Sequence, residues 1–409
     1  MEHDESPDLK HFMIHAYLNE IGMAVPVNEC QQEFLDALPS WITDDAVVDK
    51  LRAIAKRSGI EHRHTVLPRV IGPEASGAFY AIGNFPGTAR RMEVYRREAP
   101  ALALEAVRAL EAHAVEIATV THLVITSCTG FYAPGLDVDL IRLLDLPRSV
   151  HRTIIGFMGC YAGITGLRTA NDIVRADPEA RVLVINLELC SLHLQQDAPI
   201  DRLVASLLFS DGCAASLVSA RPEGFRLDSF TSHLSLEDAD KMEWLIEDQG
   251  FAMKLDAYIP DRIRDYLSRD TDAFAGVLRD PRSLWAVHPG GRAVLDAVRG
   301  AFALTPEQIA PSRRVLAHYG NMSSASIMFV FEELLRHTPR NERRSGAAIA
   351  FGPGLTLKAM EFTFIPPVNS NFVRLLKPRE EEVSSAIQLA VKPRPESRVS
   401  AIPDTHSCV

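Results

Sequence analysis

Short apolar runs of strand character alternate with amphipathic runs of helical period along this chain. That alternation narrows its possible folds more than any other feature. The strand-like stretches are His122–Ser127, Arg181–Glu188, Ser283–His288 and Ala347–Phe351. Helical patterns cover Pro100–His113, Ile164–Ala176 and Ala325–Arg336. Strands and helices in turn imply an α/β architecture, with helices on the faces of a sheet. Pro100 is read as a first helical residue, where a fixed φ and a missing N–H do no harm. Each strand-like run ends in small or polar residues, where α/β proteins usually place their chemistry. The 409 residues suffice for one large unit or two fused halves. The order of elements hints at two similar halves, although no sequence repeat is visible.

Composition removes several partner classes. Lys plus Arg number 43 and Asp plus Glu 53, so the net charge is −10 and a general nucleic-acid surface is excluded. No run of about 18 apolar residues occurs, so no membrane span is expected. The first residues, Met-Glu-His-Asp-Glu-Ser, are acidic and carry no apolar signal region. Six cysteines at 30, 128, 160, 190, 213 and 408 form no CxxC pair and no metal spacing. They fit a reduced, cytoplasmic chain without a bound metal better than a disulfide framework. From about Pro366 the sequence turns rich in Pro, Ser and charge, which reads as a mobile tail with one short helix near Ser384–Val391.

Three segments carry candidate chemistry. In Gly156-Phe-Met-Gly159-Cys160-Tyr-Ala-Gly, a strand gives way to a helix, and Gly159 permits the bend. A thiol at a helix N-terminus meets unpaired N–H groups and the positive end of the dipole, which favour the thiolate. The run Trp285-Ala-Val-His288-Pro-Gly-Gly291 ends a strand in a histidine, and Tyr319-Gly-Asn321-Met-Ser-Ser324 is a polar loop before an apolar helix. Taken singly, each has a plainer reading: Cys160 as buried filler, His288 as a satisfied core histidine, Asn321 as a turn or cap residue. Together a Cys/His/Asn set suits thioester chemistry. The thiolate takes an acyl group, the imidazole keeps it charged, and both other side chains donate to a developing oxyanion.

On these motifs, joined by Phe351-Gly-Pro-Gly-Leu-Thr356, the chain resembles the type III polyketide synthases of the chalcone and stilbene synthase group from about His11 to Phe364. Support of lower specificity comes from Thr121–Gly130 and Leu208–Gly212. The resemblance implies a five-layered αβαβα thiolase fold built from two similar halves: residues 1–222 carry the nucleophile, 223–366 carry His and Asn, and 367–409 form the tail. It also implies a homodimer that uses acyl-CoA and malonyl-CoA as substrates and needs no cofactor. A chain-initiating ketoacyl-ACP synthase shares the Cys/His/Asn set, but His-Pro-Gly-Gly and Phe-Gly-Pro-Gly speak against it.

Carried over by position, Cys160 matches the acylated nucleophile, and His288 and Asn321 the decarboxylation and oxyanion pair. Phe209 matches a gatekeeper phenylalanine. Met253 replaces the second one and makes that gate softer. Gly352, Pro353 and Gly354 shape the cavity as a loop. Lys50, Arg57 and Ala293 match positions that bind coenzyme A, with Ala53 where a third basic residue is common and Arg52 or Lys56 beside it. Around the acyl cavity, Cys128, Thr129, Ala133 and Cys190 are small, as in long-chain alkylpyrone synthases of bacteria. Leu192, His193 and Trp244 crowd the elongation side, and Ser323 and Glu188 are donors near the ring-closing region. That pattern predicts a medium- to long-chain fatty acyl starter with two or three extensions, giving alkylpyrones or alkylresorcinols. A small or aromatic starter is the alternative.

Overall fold

The structure is a computed structural model that describes residues 14–196, 199–269 and 280–367. The expected tail helix at Ser384–Val391, and the tail past residue 367, lie outside those residues. Nine strands form one mixed sheet in the order Leu284–Val287, Arg344–Gly352, Thr356–Ile365, Gly224–Leu234, Tyr17–Ala24, Asp211–Ser219, Val182–Leu189, His122–Ser127 and His151–Gly156. Its middle is a narrow joint. Tyr17–Ala24 pairs with Gly224–Leu234 through only two residue pairs, Tyr17 with Arg226 and Leu18 with Phe225. The sheet is therefore a five-strand part and a four-strand part joined at one corner.

Side-chain alternation along the strands sorts the core into layers. Leu123, Ile125, Leu183 and Ile185 face outward onto Thr88–Glu111 and its neighbouring helices. Val124, Val182 and Val184 face the other way, onto Ala162–Ala176 and Ser326–His337. In the second part, Leu284, Ala286, Ala348 and Phe362 meet those same two helices, while Trp285, Val287, Ala347 and Ile349 meet Ile259–Arg269, Arg292–Ala301 and Pro306–Tyr319. Helices, strands, helices, strands, helices: this is the αβαβα arrangement of the thiolase fold. The two central helices approach closely because a Cβ on Gly163 would lie 2.5 Å from Ile327 and 2.6 Å from the Ser324 carbonyl.

One expected boundary is wrong. Pro100 does not open a helix but lies inside Thr88–Glu111. A proline there forfeits a backbone hydrogen bond, yet Val94, Tyr95, Ala99, Leu102, Ala103 and Ala106 form a continuous buried stripe across it. Tertiary burial carries the helix through a residue that local preference reads as a start. The five cysteines among the described residues are free. No helix among them is long and apolar enough to cross a membrane.

A polar seam runs beneath the central layer. Fully buried Glu188 accepts from the Cys128 N–H at 2.9 Å, the Thr129 hydroxyl at 2.8 Å and the Ser324 hydroxyl at 2.6 Å. It therefore ties the end of strand His122–Ser127 to the turn that opens the central helix Ser326–His337. Burial outweighs these donors and raises its pKa from 4.5 to about 7. Between those two values the folded chain binds more protons than the unfolded chain, so stability falls as pH rises and the full cost stands above pH 7. The shift corresponds to roughly 3 kcal/mol. In Glu188→Gln, whose amide keeps the shape without the charge, we expect the urea midpoint to fall less between pH 5 and pH 8 than in the wild type. Parallel pH dependences would contradict this account of Glu188.

Candidate active site

Cys160 stands at a bend that backbone strain and close packing hold in place. Edge strand His151–Gly156 ends at Phe157, which has φ 57°, and Gly159 follows with φ 75°. A bulky residue in the left-handed region costs about 1–2 kcal/mol, and Phe157 is held by ring contacts with Phe131 and Phe251 at 5.5 and 5.6 Å. A Cβ on Gly159 would lie 2.2 Å from Pro353 Cδ, so glycine is required both for its φ and for its lack of a side chain. Gly159 N–H donates to Cys128 Sγ at 3.0 Å. Cys160 then sits in the single 3₁₀ turn Gly159–Tyr161 that opens the helix Ala162–Ala176.

Cys160 lies where two cavities meet. The outer one reaches solvent at exposed Arg57, Arg292 and Ala293 and is also lined by His288 and Asn321. The inner one runs past Cys128, Thr129, Cys190 and His193 to Cys30, Phe34 and Val70. Four residues line both: Cys160, Phe209, Met253 and Pro353. Phe209, Met253 and Pro353 therefore form a constriction around the thiol. Asn321 and Phe209 are tied by a parallel backbone bridge, with Asn321 N–H to the Leu208 carbonyl at 2.8 Å and Ser210 N–H to the Asn321 carbonyl at 2.9 Å. Met253 stands opposite Trp244 in the hairpin Met242–Glu247/Gly250–Leu255.

Asn321 shapes the turn it stands in. Its Oδ1 accepts from the Ser323 N–H at 2.9 Å, which shapes the turn and fixes the amide orientation. Its Nδ2 makes a long 3.4 Å contact to the Gly290 carbonyl, and the side chain also hydrogen-bonds the Cys160 thiol, so the amide points at the sulfur. His288 is not a satisfied core histidine. It is 2% exposed, and neither ring nitrogen has a hydrogen-bond partner. Buried imidazoles without partners are rare in packed cores, and this one faces the outer cavity.

The electrostatics differ from the helix-dipole expectation. Burial pushes the Cys160 thiol up to about 12, against the opposing hydrogen bonds from Ser323 and Asn321. Burial also pushes His288 down to about 3. Neither group favours a lone charge. In both groups burial is the leading cause of the shift.

Other expected residues divide. Thr129, Cys190, His193, Trp244, Ser323 and Cys128 line the inner cavity, and Arg57 and Ala293 line the outer one. His193 is neutral and fixed in tautomer: Nδ1 accepts from Phe251 N–H at 3.0 Å, Nε2–H donates to the Thr129 carbonyl at 2.8 Å, and burial lowers its pKa to about 3. Gly352 and Gly354 flank Pro353, and a Cβ on Gly352 would strike the Tyr161 ring at 2.6 Å. Gly352 and Gly354 line neither cavity themselves, and four further positions do not either. Leu192 turns into the outer hydrophobic core, Glu188 lies in the polar seam, and Lys50 is exposed on the helix Asp45–Ser58. Ala133 is exposed on the surface beside Phe131. Sequence reasoning missed Arg292, although a basic residue opening a helix directly after two glycines is a readable anion-site signal. It also missed Cys30, Phe34 and Val70, which no local pattern connects to Cys160. Glu61, His62 and His318 bring ligand atoms within 4.8 Å of one another but line neither cavity.

Comparisons with known proteins agree with this geometry. The profile of the chalcone and stilbene synthases, N-terminal domain, matches residues 11–222, and that of the C-terminal domain matches residues 229–366. Bisdemethoxycurcumin synthase of Oryza sativa subsp. japonica is 32% identical over 369 residues, covering 83% of this chain and 90% of the relative. Type III polyketide synthase A of Arabidopsis thaliana is 30% identical over 365 residues, covering 84% and 92%. The crystal structure of the C-terminal type III polyketide synthase domain of Steely1, a type I/III hybrid from Dictyostelium, matches with a TM-score of 0.78 at 28% identity, over 86% of this chain and 99% of that one. With a thiol, an imidazole and a carboxamide gathered where two cavities meet, the chain belongs to the chalcone and stilbene synthase family and is a type III polyketide synthase, an acyltransferase.

Proposed function

We propose that Cys160 takes the acyl group of a medium- to long-chain fatty acyl-CoA, and that two or three malonyl-CoA extensions lead to an alkylpyrone or alkylresorcinol. The observation that carries this reading is the position of Cys160 between a solvent-reaching outer cavity and a buried inner one whose wall is small and largely apolar, at Thr129, Cys190, Cys30 and Val70. A coenzyme A thioester enters from the Arg57 and Arg292 side, where both guanidinium groups suit phosphates. The Cys160 thiolate attacks the thioester carbonyl and coenzyme A leaves. Malonyl-CoA next loses CO₂ beside His288 and Asn321, which donate hydrogen bonds to the enolate oxygen. The enolate carbon attacks the acyl-Cys160 carbonyl, the thiolate departs, and the lengthened chain on coenzyme A reloads.

A homodimer completes the reading. Strand His151–Gly156 is the last of its sheet and is largely exposed, with Ile154, Met158 and Phe131 exposed around it. An apolar open edge of this kind favours a second copy. Phe131 also packs at 6.2 Å against Phe251 of the inner cavity, so a partner covering Ala133 would sit one ring away from the acyl chain. The second reading, a small or aromatic starter, draws on the crowding of Trp244, His193 and Phe251 in one edge-and-stack cluster.

Three outcomes are expected. Product analysis by mass spectrometry, from butyryl- to stearoyl-CoA with malonyl-CoA, should give alkylpyrones or alkylresorcinols from the longer starters. Efficient use of an aromatic starter alone would contradict this. Ala133→Met should shorten the preferred starter and leave small-starter turnover nearly intact, whereas equal loss at all lengths would contradict a role in chain length. His288→Ala should slow iodoacetamide labelling of Cys160 at pH 7 by about tenfold or more, because the thiol loses the partner that accepts its proton. An unchanged labelling rate would mean that the imidazole does not support the thiolate.

A further inference from the structure

The inner cavity is small for the chain it is proposed to hold. About 70 Å³ is open to the centre of a water-sized sphere, against about 550 Å³ in the outer cavity. At about 15 Å³ per water on this measure, that is room for about five water-sized positions. An acyl chain of more than a few carbons needs somewhere further to go.

One part of the inner wall leads outward. Gln195 and Arg202 line the inner cavity and also line a separate surface groove with Glu247, Asp248 and Gln249, of about 510 Å³ on the same measure. Among the described residues, the partition between the two spaces consists of polar side chains that hydrogen-bond to one another. Arg202 donates to both carboxylate oxygens of Glu247 at 3.2 Å and to Gln195 Oε1 at 2.8 Å, and Gln195 Nε2 reaches Glu247 at 3.3 Å. Arg202 comes from the helix Ile200–Leu208, and Glu247 ends the strand that carries Trp244.

The two sides of this partition differ in freedom. The turn after Glu247 is anchored, since Thr88 N–H donates to the Asp248 carbonyl at 2.8 Å, Gly250 N–H donates to the Thr88 hydroxyl at 2.8 Å, and that hydroxyl donates to the Glu247 carbonyl. The Arg202 side chain is 29% exposed and that of Glu247 40% exposed. Ion pairs this wet are screened and hold their geometry only lightly. Rotation of a long arginine side chain opens the wall, and no backbone movement is needed.

We propose that Gln195, Arg202 and Glu247 form a rear door to the inner cavity, through which the far end of a long acyl chain on Cys160 threads into the surface groove. The inference rests on the long-chain reading given above, and two independent readouts separate the failure of one from the failure of the other. The first is the rate at which N-ethylmaleimide labels Cys190, an inner-wall thiol, followed by peptide mass spectrometry. In Glu247→Ala it should rise several-fold, and the charge swap Arg202→Glu with Glu247→Arg should return it toward the wild-type rate. Labelling of Cys213, fully buried and lining neither cavity, should stay unchanged and so reports that the variants are folded. The second readout is the chain-length profile. Gln249→Trp, which narrows the surface groove and lines neither cavity, should cut kcat/KM for palmitoyl-CoA at least tenfold while butyryl-CoA is used as before.

Cys190 labelling that does not rise in Glu247→Ala overturns the door. Labelling that rises while Gln249→Trp leaves the chain-length profile unmoved overturns threading through it. If the wild type also ignores palmitoyl-CoA, the long-chain reading falls and the door remains as a solvent passage only.

Discussion

The interlock of Gly159 with Pro353 is the contact on which the site depends. A side chain at 159 would stand 2.2 Å from the proline ring, and one at 352 would stand 3.3 Å from the Cys160 amide nitrogen. The elbow from one part of the sheet and the Gly-Pro-Gly loop from the other thus touch backbone to backbone. That contact makes Pro353 a wall of both cavities and sets how wide the passage at Cys160 can be. Gly163 does the same for the two central helices, and Glu188 reaches across to Ser324 beneath them. Glycines set the distance and a buried carboxylate holds it. Cys160, His288, Asn321 and the constriction at Phe209 and Met253 keep their geometry only while these contacts last.

A second consequence of such close packing is dryness. Burial drives Cys160 and Glu188 toward their protonated forms and His288 and His193 toward neutrality. Lone charges are costly in this interior, so they are stable only when two form together or when a substrate brings the counter-charge. Enolate chemistry suits such a place. Preformed donors gain strength where water is excluded, and the Asn321 amide already points at the Cys160 thiol.

Residues whose role follows from their place on one element were legible in the sequence. Cys160 begins a helix, His288 ends a strand, and Asn321 opens a turn, and each position has a local signature in glycine, proline or serine neighbours. Alternating strand and helix runs made an α/β class legible, but the five layers followed only from the family resemblance, because Val182–Leu189 is buried on both faces and shows no polar alternation. What escaped depends on distant chain segments. Phe34 and Val70 reach the inner cavity only through tertiary packing, and Pro100 is absorbed into a helix by a buried stripe that extends on both sides of it. Leu192 was misplaced because Cys190–His193 is a 3₁₀ turn, which points adjacent residues about a third of a turn apart. Cys190 and His193 therefore face the cavity while Leu192 faces the core. Ala133 faces outward, so any part it plays in the cavity needs a second copy of the chain.

The most direct test of the central claim is intact and peptide mass spectrometry after incubation with a long-chain acyl-CoA in the absence of malonyl-CoA. One acyl group should appear on the peptide that contains Cys160 and be lost in Cys160→Ala. Acylation that persists in that variant, or that maps to Cys128 or Cys190 instead, would contradict the assignment of Cys160 as the residue that carries the growing chain.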